Sequence, residues 1–130
     1  MVDDEKSYTD LMSQMIEENL GRKVVAFTRP FDALGALPTL RPSVVVTDYF
    51  MPQINGIEFI RLASAVAPDA VFVMISGHNL DSVQDQLDRL KNLKGRLSKP
   101  FGWRKLADEI LRVWPCPASA PAHRADATSV

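Results

Sequence analysis

Five polar side chains hold the chemical interest of this sequence: Asp3, Asp4, Asp48, Ser76 and Lys99. Three carboxylates brought together repel and raise one another's pKa unless a cation sits among them. Hard oxygen donors of this kind favour Mg²⁺, which keeps several waters and takes one or two carboxylates plus phosphate oxygens. A carboxylate is also a competent nucleophile toward phosphorus, and the product is an acyl phosphate. A metal ion and a lysine ammonium would then offset charge on the moving phosphoryl group. A nearby hydroxyl can donate to one phosphoryl oxygen and register its arrival.

Whether these residues meet depends on the elements that carry them. Val44-Val45-Val46-Thr47 and Ala70-Val71-Phe72-Val73-Met74-Ile75 are unbroken apolar runs. Such runs suit strands covered on both faces, as in a parallel sheet. Lys23–Phe27 reads as another strand, and Gly95–Ser98 as a shorter one before Lys99-Pro100. Tyr8, Leu11, Met12, Met15, Ile16 and Leu20 recur at helical spacing, with Gly21 as a stop. Ile57, Phe59, Ile60, Leu62, Ala63 and Val66 do the same. Phe31–Leu40 reads as a short helix, and Asp81 as the cap of one carrying Val83, Leu87, Leu90 and Leu93. A last helix runs from about Trp103 to Trp114, with Leu106, Ile110, Leu111 and Trp114 on its inner face. Strands alternating with helices about every 25 residues indicate βαβ units and a doubly wound sheet. Sites in such sheets form beyond the carboxyl ends of the strands. Asp48, Ser76 and Lys99 each follow a strand, and Asp3-Asp4 precede the first helix. A parallel sheet would gather all five at one edge.

Val2-Asp3-Asp4-Glu5, Asp48-Tyr49-Phe50-Met51-Pro52 with Gly56, Ile75-Ser76-Gly77 and Ser98-Lys99-Pro100-Phe101 together resemble a known set. They look like the four motifs of response-regulator receiver domains, the phospho-acceptor domains of two-component signalling, over roughly residues 2–114. The resemblance implies a flavodoxin-like three-layer α/β/α fold with a five-stranded parallel sheet of order 2-1-3-4-5. It implies that Asp48 is phosphorylated, with Lys99 as phosphate partner and Ser76 as switch hydroxyl. Asp4, Asp48 and the backbone carbonyl of Phe50 would bind Mg²⁺ directly, and Asp3 mainly through water. A cis peptide before Pro100 is implied too, and a loop beside the acceptor shaped by Met51-Pro52 and Gly56, with Asn55 or Gly56 opening the next helix. The partners would be a histidine kinase or histidine phosphotransfer protein as donor and a downstream protein target. A receiver of this kind is no enzyme beyond assisting its own phosphorylation and dephosphorylation.

The sequence departs from the family in three places. Arg96 stands three positions before the motif lysine, where the family usually has an aromatic residue. An arginine cannot bury its charge there without a partner, so chemistry at Asp48 and coupling to output are separable. Gly77 leaves the site open to water or small molecules. Only Met1 and Val2 precede the acidic pair, so the central first strand looks truncated. The expectation is a natural start several residues upstream; a stub of Met1–Asp3 in a sheet that is weakened, swapped or opened is the other reading. Two rival functions remain. One is a pseudo-receiver, an interaction module without phosphotransfer. The other is a small hydrolase or flavin protein. The hydrolase would want a second acid where Phe50 stands, and the flavin protein a hydroxyl- and glycine-rich loop where Glu5-Lys6-Ser7-Tyr8 stands. A stand-alone receiver and a piece of a hybrid sensor kinase both fit.

Length and composition agree. The chain has 130 residues, 46% hydrophobic, enough for one domain with a core. Lys plus Arg total 15 and Asp plus Glu 16, for a net charge of -1, so nothing invites nucleic acid. No apolar run is long enough for a bilayer, and with acidic residues from Asp3 onward no signal peptide is expected. The single cysteine, Cys116, has no internal partner. A cytoplasmic protein with no membrane or nucleic-acid contact is expected. Residues 1–114 read as the receiver domain. Residues 115–130, with three prolines and five alanines, read as a disordered tail. His78 reads as a solvated loop residue, Trp103 and Trp114 as packing residues, and Met12, Met15 and Met74 as core fillers.

Overall fold

The computed structural model describes residues 1–2, 6–21, 24–51, 53–77, 80–99 and 101–114, with residues 6 and 8 described by their backbone alone. The elements are α1 (Lys6–Leu20), α2 (Pro30–Leu40), β1 (Val44–Asp48), α3 (Gly56–Val66) and β2 (Val71–Ser76). A 3₁₀ turn (Asp81–Val83) then leads into α4 (Gln84–Asp88), followed by β3 (Leu93–Ser98) and α5 (Trp103–Val113).

The three strands run parallel in the order β1-β2-β3. Val2 adds isolated parallel bridges to Thr47 on one side and Phe27 on the other. Its N–H donates to the Val46 carbonyl at 2.7 Å, its carbonyl accepts from Asp48 N–H at 2.9 Å, and Phe27 N–H donates to Met1 at 2.9 Å. Among the described residues, the strand expected over Lys23–Phe27 is represented by the Phe27 bridge alone.

The apolar runs are continuous because alternate side chains enter different cores. Val44, Val46, Val73 and Ile75 pack with Met12, Ile16, Leu106 and Ile110 of α1 and α5. Val45, Phe72 and Met74 pack with Leu37, Phe59, Ile60 and Leu87 of α2, α3 and α4. Each such side chain, fully buried, stabilises by roughly 1.5–3 kcal/mol. Helices on both faces of a parallel sheet make the flavodoxin-like three-layer arrangement. Two local devices fix the helix ends nearest the sheet. Pro30 opens α2 with a pre-set φ. Asn55 caps α3, its side-chain oxygen accepting from Glu58 N–H at 2.9 Å.

Three expectations need correction. The helix opened by Asp81 ends at Asp88, so Leu90 lies beyond it and Leu93 opens β3 opposite Phe72. Sheet pairing overrides the apolar spacing that suggested a longer helix. Leu111 points outward and is 54% exposed; Leu106, Ala107, Ile110 and Val113 carry the inner face of α5. The last strand begins at Leu93, two residues before the expected Gly95, and it is irregular. Phe72 pairs with Leu93 and Val73 with Gly95, so Lys94 is the extra residue of a bulge. Trp103 and Trp114 are partly buried against the α1–α5 core. Residues 115–130, expected to be a tail, lie outside the described residues.

Candidate functional site

Register brings three of the expected residues to one edge. Asp48 ends β1 opposite Ile75, and Ser76 ends β2 opposite Ser98. Lys99 follows directly, its N–H donating to the Ser76 carbonyl at 2.9 Å. Asp48 and Ser76 are each only 6% exposed. The Lys99 ammonium reaches back across the edge and donates to Asp48 Oδ2 at 3.3 Å. A carboxylate with its oxygens at the mouth of the sheet, faced by an ammonium and flanked by a hydroxyl, can accept an electrophile and neutralise the charge that arrives with it.

The loop after Asp48 is held by contacts that sequence reading missed. Thr47 is fully buried, and its hydroxyl donates to the Asp48 carbonyl at 3.1 Å and approaches Met51 Sδ at 3.7 Å. A hydroxyl inside an apolar run was the available signal. Gly56 N–H donates to the Tyr49 carbonyl at 2.7 Å, returning the chain to the strand end. Gln53 takes a left-handed φ of 77° inside this loop, a conformation costly for a side-chain-bearing residue. Phe50 is exposed, its ring edge-on to Tyr49 at 4.9 Å.

Gly56 has no room for a side chain. A Cβ there would lie 2.8 Å from the Asp48 carbonyl oxygen and 3.0 Å from both Met74 Cε and Tyr49 Cα. Two of these neighbours are backbone and cannot step aside. Gly56→Ala is expected to lower stability by about 2 kcal/mol and to displace the loop beside Asp48. Urea unfolding of the two proteins measures the first effect, and unaltered stability would show that the loop yields freely.

Asp3 and Asp4, expected to hold the metal, lie outside the described residues, as do Pro52, His78 and Pro100. The described donors suit Mg²⁺ in type, since Asp48 offers hard carboxylate oxygen where phosphate would meet it. Val2, the last described residue before the acidic pair, pairs with β1 beside Asp48. Arg96, at the position that departs from the resemblance, is exposed and donates to Gln84 Oε1 of α4 at 3.2 Å. A hollow of about 470 Å³ separates it from Ser76 and is lined also by Met74, Leu80 and Asp81. No helix among the described residues is long and apolar enough to cross a membrane.

Comparison with known proteins places this geometry in context. The family described as "Response regulator receiver domain" matches residues 1–111. The response regulator receiver protein CpdR of Brucella abortus is 33% identical over 93 residues, covering 72% of this chain and 77% of that protein. The uncharacterized transcriptional regulatory protein YesN of Bacillus subtilis is 34% identical over 79 residues; the match covers 59% of this chain but only 22% of YesN. A CheY-like receiver domain from Methanospirillum hungatei superimposes with a TM-score of 0.77, covering 85% of this chain and 87% of that one at 20% identity. That last likeness concerns the fold.

Proposed function

The chain belongs to the response regulator receiver domain family, and from that premise we propose that it takes a phosphoryl group onto Asp48 from the phosphohistidine of a histidine kinase or histidine phosphotransfer protein. Membership of the family implies a part in two-component signalling. The observation that supports Asp48 as acceptor is the 3.3 Å approach of the Lys99 ammonium to its carboxylate, with Ser76 on the neighbouring strand.

In the proposed step an Asp48 carboxylate oxygen attacks phosphorus, the bond from phosphorus to the donor imidazole nitrogen breaks, and the imidazole leaves carrying that electron pair. Lys99 donates to the phosphoryl oxygens as their charge comes to rest on the protein. Ser76 donates to another of these oxygens, and its movement passes the change to a surface read by a downstream protein. Asp3, Asp4, Asp48 and the Phe50 carbonyl would hold Mg²⁺, which when bound offsets charge between acceptor and phosphate. The sheet is read as five-stranded in the order 2-1-3-4-5, with Met1–Val2 as a short central strand. The bridges of Val2 to Phe27 and Thr47 support that reading. We place the protein in the cytoplasm, without nucleic-acid or membrane partners and without catalysis beyond its own phosphorylation and dephosphorylation.

Acetyl phosphate with Mg²⁺, followed by intact-mass measurement, tests the proposal. One added phosphoryl group is expected on the natural protein and none on Asp48→Asn. Arg96 favours the second reading, an interaction module without phosphotransfer, because its bond to Gln84 ties β3 to α4 where an aromatic residue usually moves. Absence of label on the natural protein would decide for that reading.

Gly77 bears on how long the label lasts. A Cβ at this position would lie 3.7 Å from Lys99 Cβ, an ordinary contact, so alanine fits without displacing the lysine and narrows the approach for water. The half-life of phosphorylated Asp48 is expected to lengthen about threefold in Gly77→Ala, equal to about 0.6 kcal/mol of barrier. Equal half-lives would remove the idea that this glycine admits water.

A further inference from the structure

Thr47 stands where a fourth valine would serve the core as well. It follows Val44-Val45-Val46 in β1, pairs with Met74 of β2, is bridged by Val2 on its other side, and is fully buried. Its branched shape suits the strand; the hydroxyl is what valine would lack. A hydroxyl has one proton to donate, and two acceptors stand near this one: the Asp48 carbonyl at 3.1 Å and Met51 Sδ at 3.7 Å. The carbonyl is the stronger acceptor and the thioether the weaker. Asp48 ends the strand and Met51 lies in the loop beyond it, so one side chain reaches both ends of the Tyr49-Phe50 step. Within that step the Tyr49 N–H donates to the Ile75 carbonyl at 2.8 Å, and the Tyr49 carbonyl accepts from Gly56 N–H at 2.7 Å. Phe50 is thus bracketed, by backbone bonds at Tyr49 and by Thr47 at Met51.

We propose that Thr47 is a positioning residue for the divalent cation: its hydroxyl fixes the backbone on both sides of Phe50 and so sets the aim of the Phe50 carbonyl. The inference rests on the reading above that this carbonyl is a Mg²⁺ ligand. Mg²⁺ demands near-ideal octahedral geometry, so a small rotation of one peptide weakens binding. Groups that orient metal ligands commonly account for about 10–100-fold in affinity. The Asp48 carbonyl that takes the hydroxyl proton is also confined by α3, since a Cβ on Gly56 would lie 2.8 Å from its oxygen. Freedom gained by losing the hydroxyl would therefore appear at the loop end, nearer Phe50.

Titration of MgCl₂ alone into the natural protein, Thr47→Val and Thr47→Ser, followed by amide NMR, tests this. Valine keeps the shape and loses the donor; serine keeps the donor. Mg²⁺ is expected to bind Thr47→Val about tenfold more weakly than the natural protein, and Thr47→Ser within about twofold of it. In acetyl phosphate labelling, the Mg²⁺ concentration giving half the maximal rate should rise about tenfold in Thr47→Val, with the rate at saturating Mg²⁺ within about twofold of natural. Equal Mg²⁺ affinity in Thr47→Val would overturn the proposal and leave Asp48 as acceptor. A loss in Thr47→Ser as large as in Thr47→Val would assign the effect to shape and overturn it too. The same spectra show whether each variant is folded. If Thr47→Val is not, Met51→Leu releases the loop end without touching the strand: weaker Mg²⁺ binding is expected, and unchanged affinity would overturn the bracket. A natural protein that binds no Mg²⁺ would instead remove the metal reading beneath the proposal.

Discussion

Lys99→Ala is expected to slow phosphorylation of Asp48 by acetyl phosphate about a hundredfold or more, with the fold retained. The argument rests on a difference in magnitudes. The Lys99–Asp48 pair is partly open, with a quarter of the lysine side chain exposed, and water-accessible ion pairs contribute only about 0–1 kcal/mol to stability. The backbone bond from Lys99 to Ser76 does not depend on the side chain, so the strand end keeps its place. In the reaction, by contrast, the same ammonium faces charge delivered onto a carboxylate that is itself nearly buried, where a preformed donor contributes about 2.7–4 kcal/mol. Lys99→Arg should restore little, because a planar guanidinium presents its donors in a fixed fork rather than as a compact charge. Time-resolved intact-mass measurement at saturating Mg²⁺ gives the rate. A variant labelled as fast as the natural protein would exclude Lys99 from the reaction.

The second large effect is on stability against pH. Met1 is 3% exposed, and its amine donates to the Val25 carbonyl at 2.9 Å. Burial pushes this amine down from its ordinary 8.0 to about 5. The unfolded chain keeps the ordinary value, so between pH 5 and pH 8 it binds a proton that the folded chain does not. Stability therefore rises with pH across that window. The slope reaches about 1.4 kcal/mol per pH unit in mid-window and halves at each end, so the gain from pH 5 to pH 8 is about 3 kcal/mol, a large share of a typical total of about 5–15 kcal/mol. Urea unfolding of the free and Nα-acetylated chains at both pH values isolates the amine. The free chain should lose about 3 kcal/mol more than the acetylated one on going down to pH 5. Identical losses would show that water reaches the amine. Placing about five apolar residues ahead of Met1 would remove the charge and offer the sheet further ladder bonds, so the midpoint of thermal unfolding should rise.

The framework was legible in the sequence because burial on both faces leaves a compositional trace. Val44–Val46 and Val71–Ile75 could be recognised as inner strands from unbroken apolarity, and the polar residues at their ends then pointed to one edge. What escaped was decided by partners distant in the chain. The apolar spacing of Leu87, Leu90 and Leu93 is helical, yet Leu93 answers to Phe72 in the sheet. Leu111 fits the apolar pattern of α5 but falls outside the stripe that reaches the core. The contacts of Arg112 with Lys94 and of Arg96 with Gln84 leave no periodic signal. Gly56 and Gly95 are needed for the space they leave empty, which neither propensity nor hydropathy records.

The extra residue at Lys94 also acts as a vernier. Were Lys94 paired with Val73 instead of bulging, Ser76 would stand opposite Leu97, and Ser98 would occupy the place that Lys99 now takes. Leaving one residue out of the ladder, four positions upstream of Ser98, thus sets which side chain meets the acceptor. Flattening the bulge so that Lys94 joins the ladder would trade an ammonium for a hydroxyl at the reacting edge, whereas deleting Lys94 would leave Ser98 opposite Ser76 and Lys99 in its place.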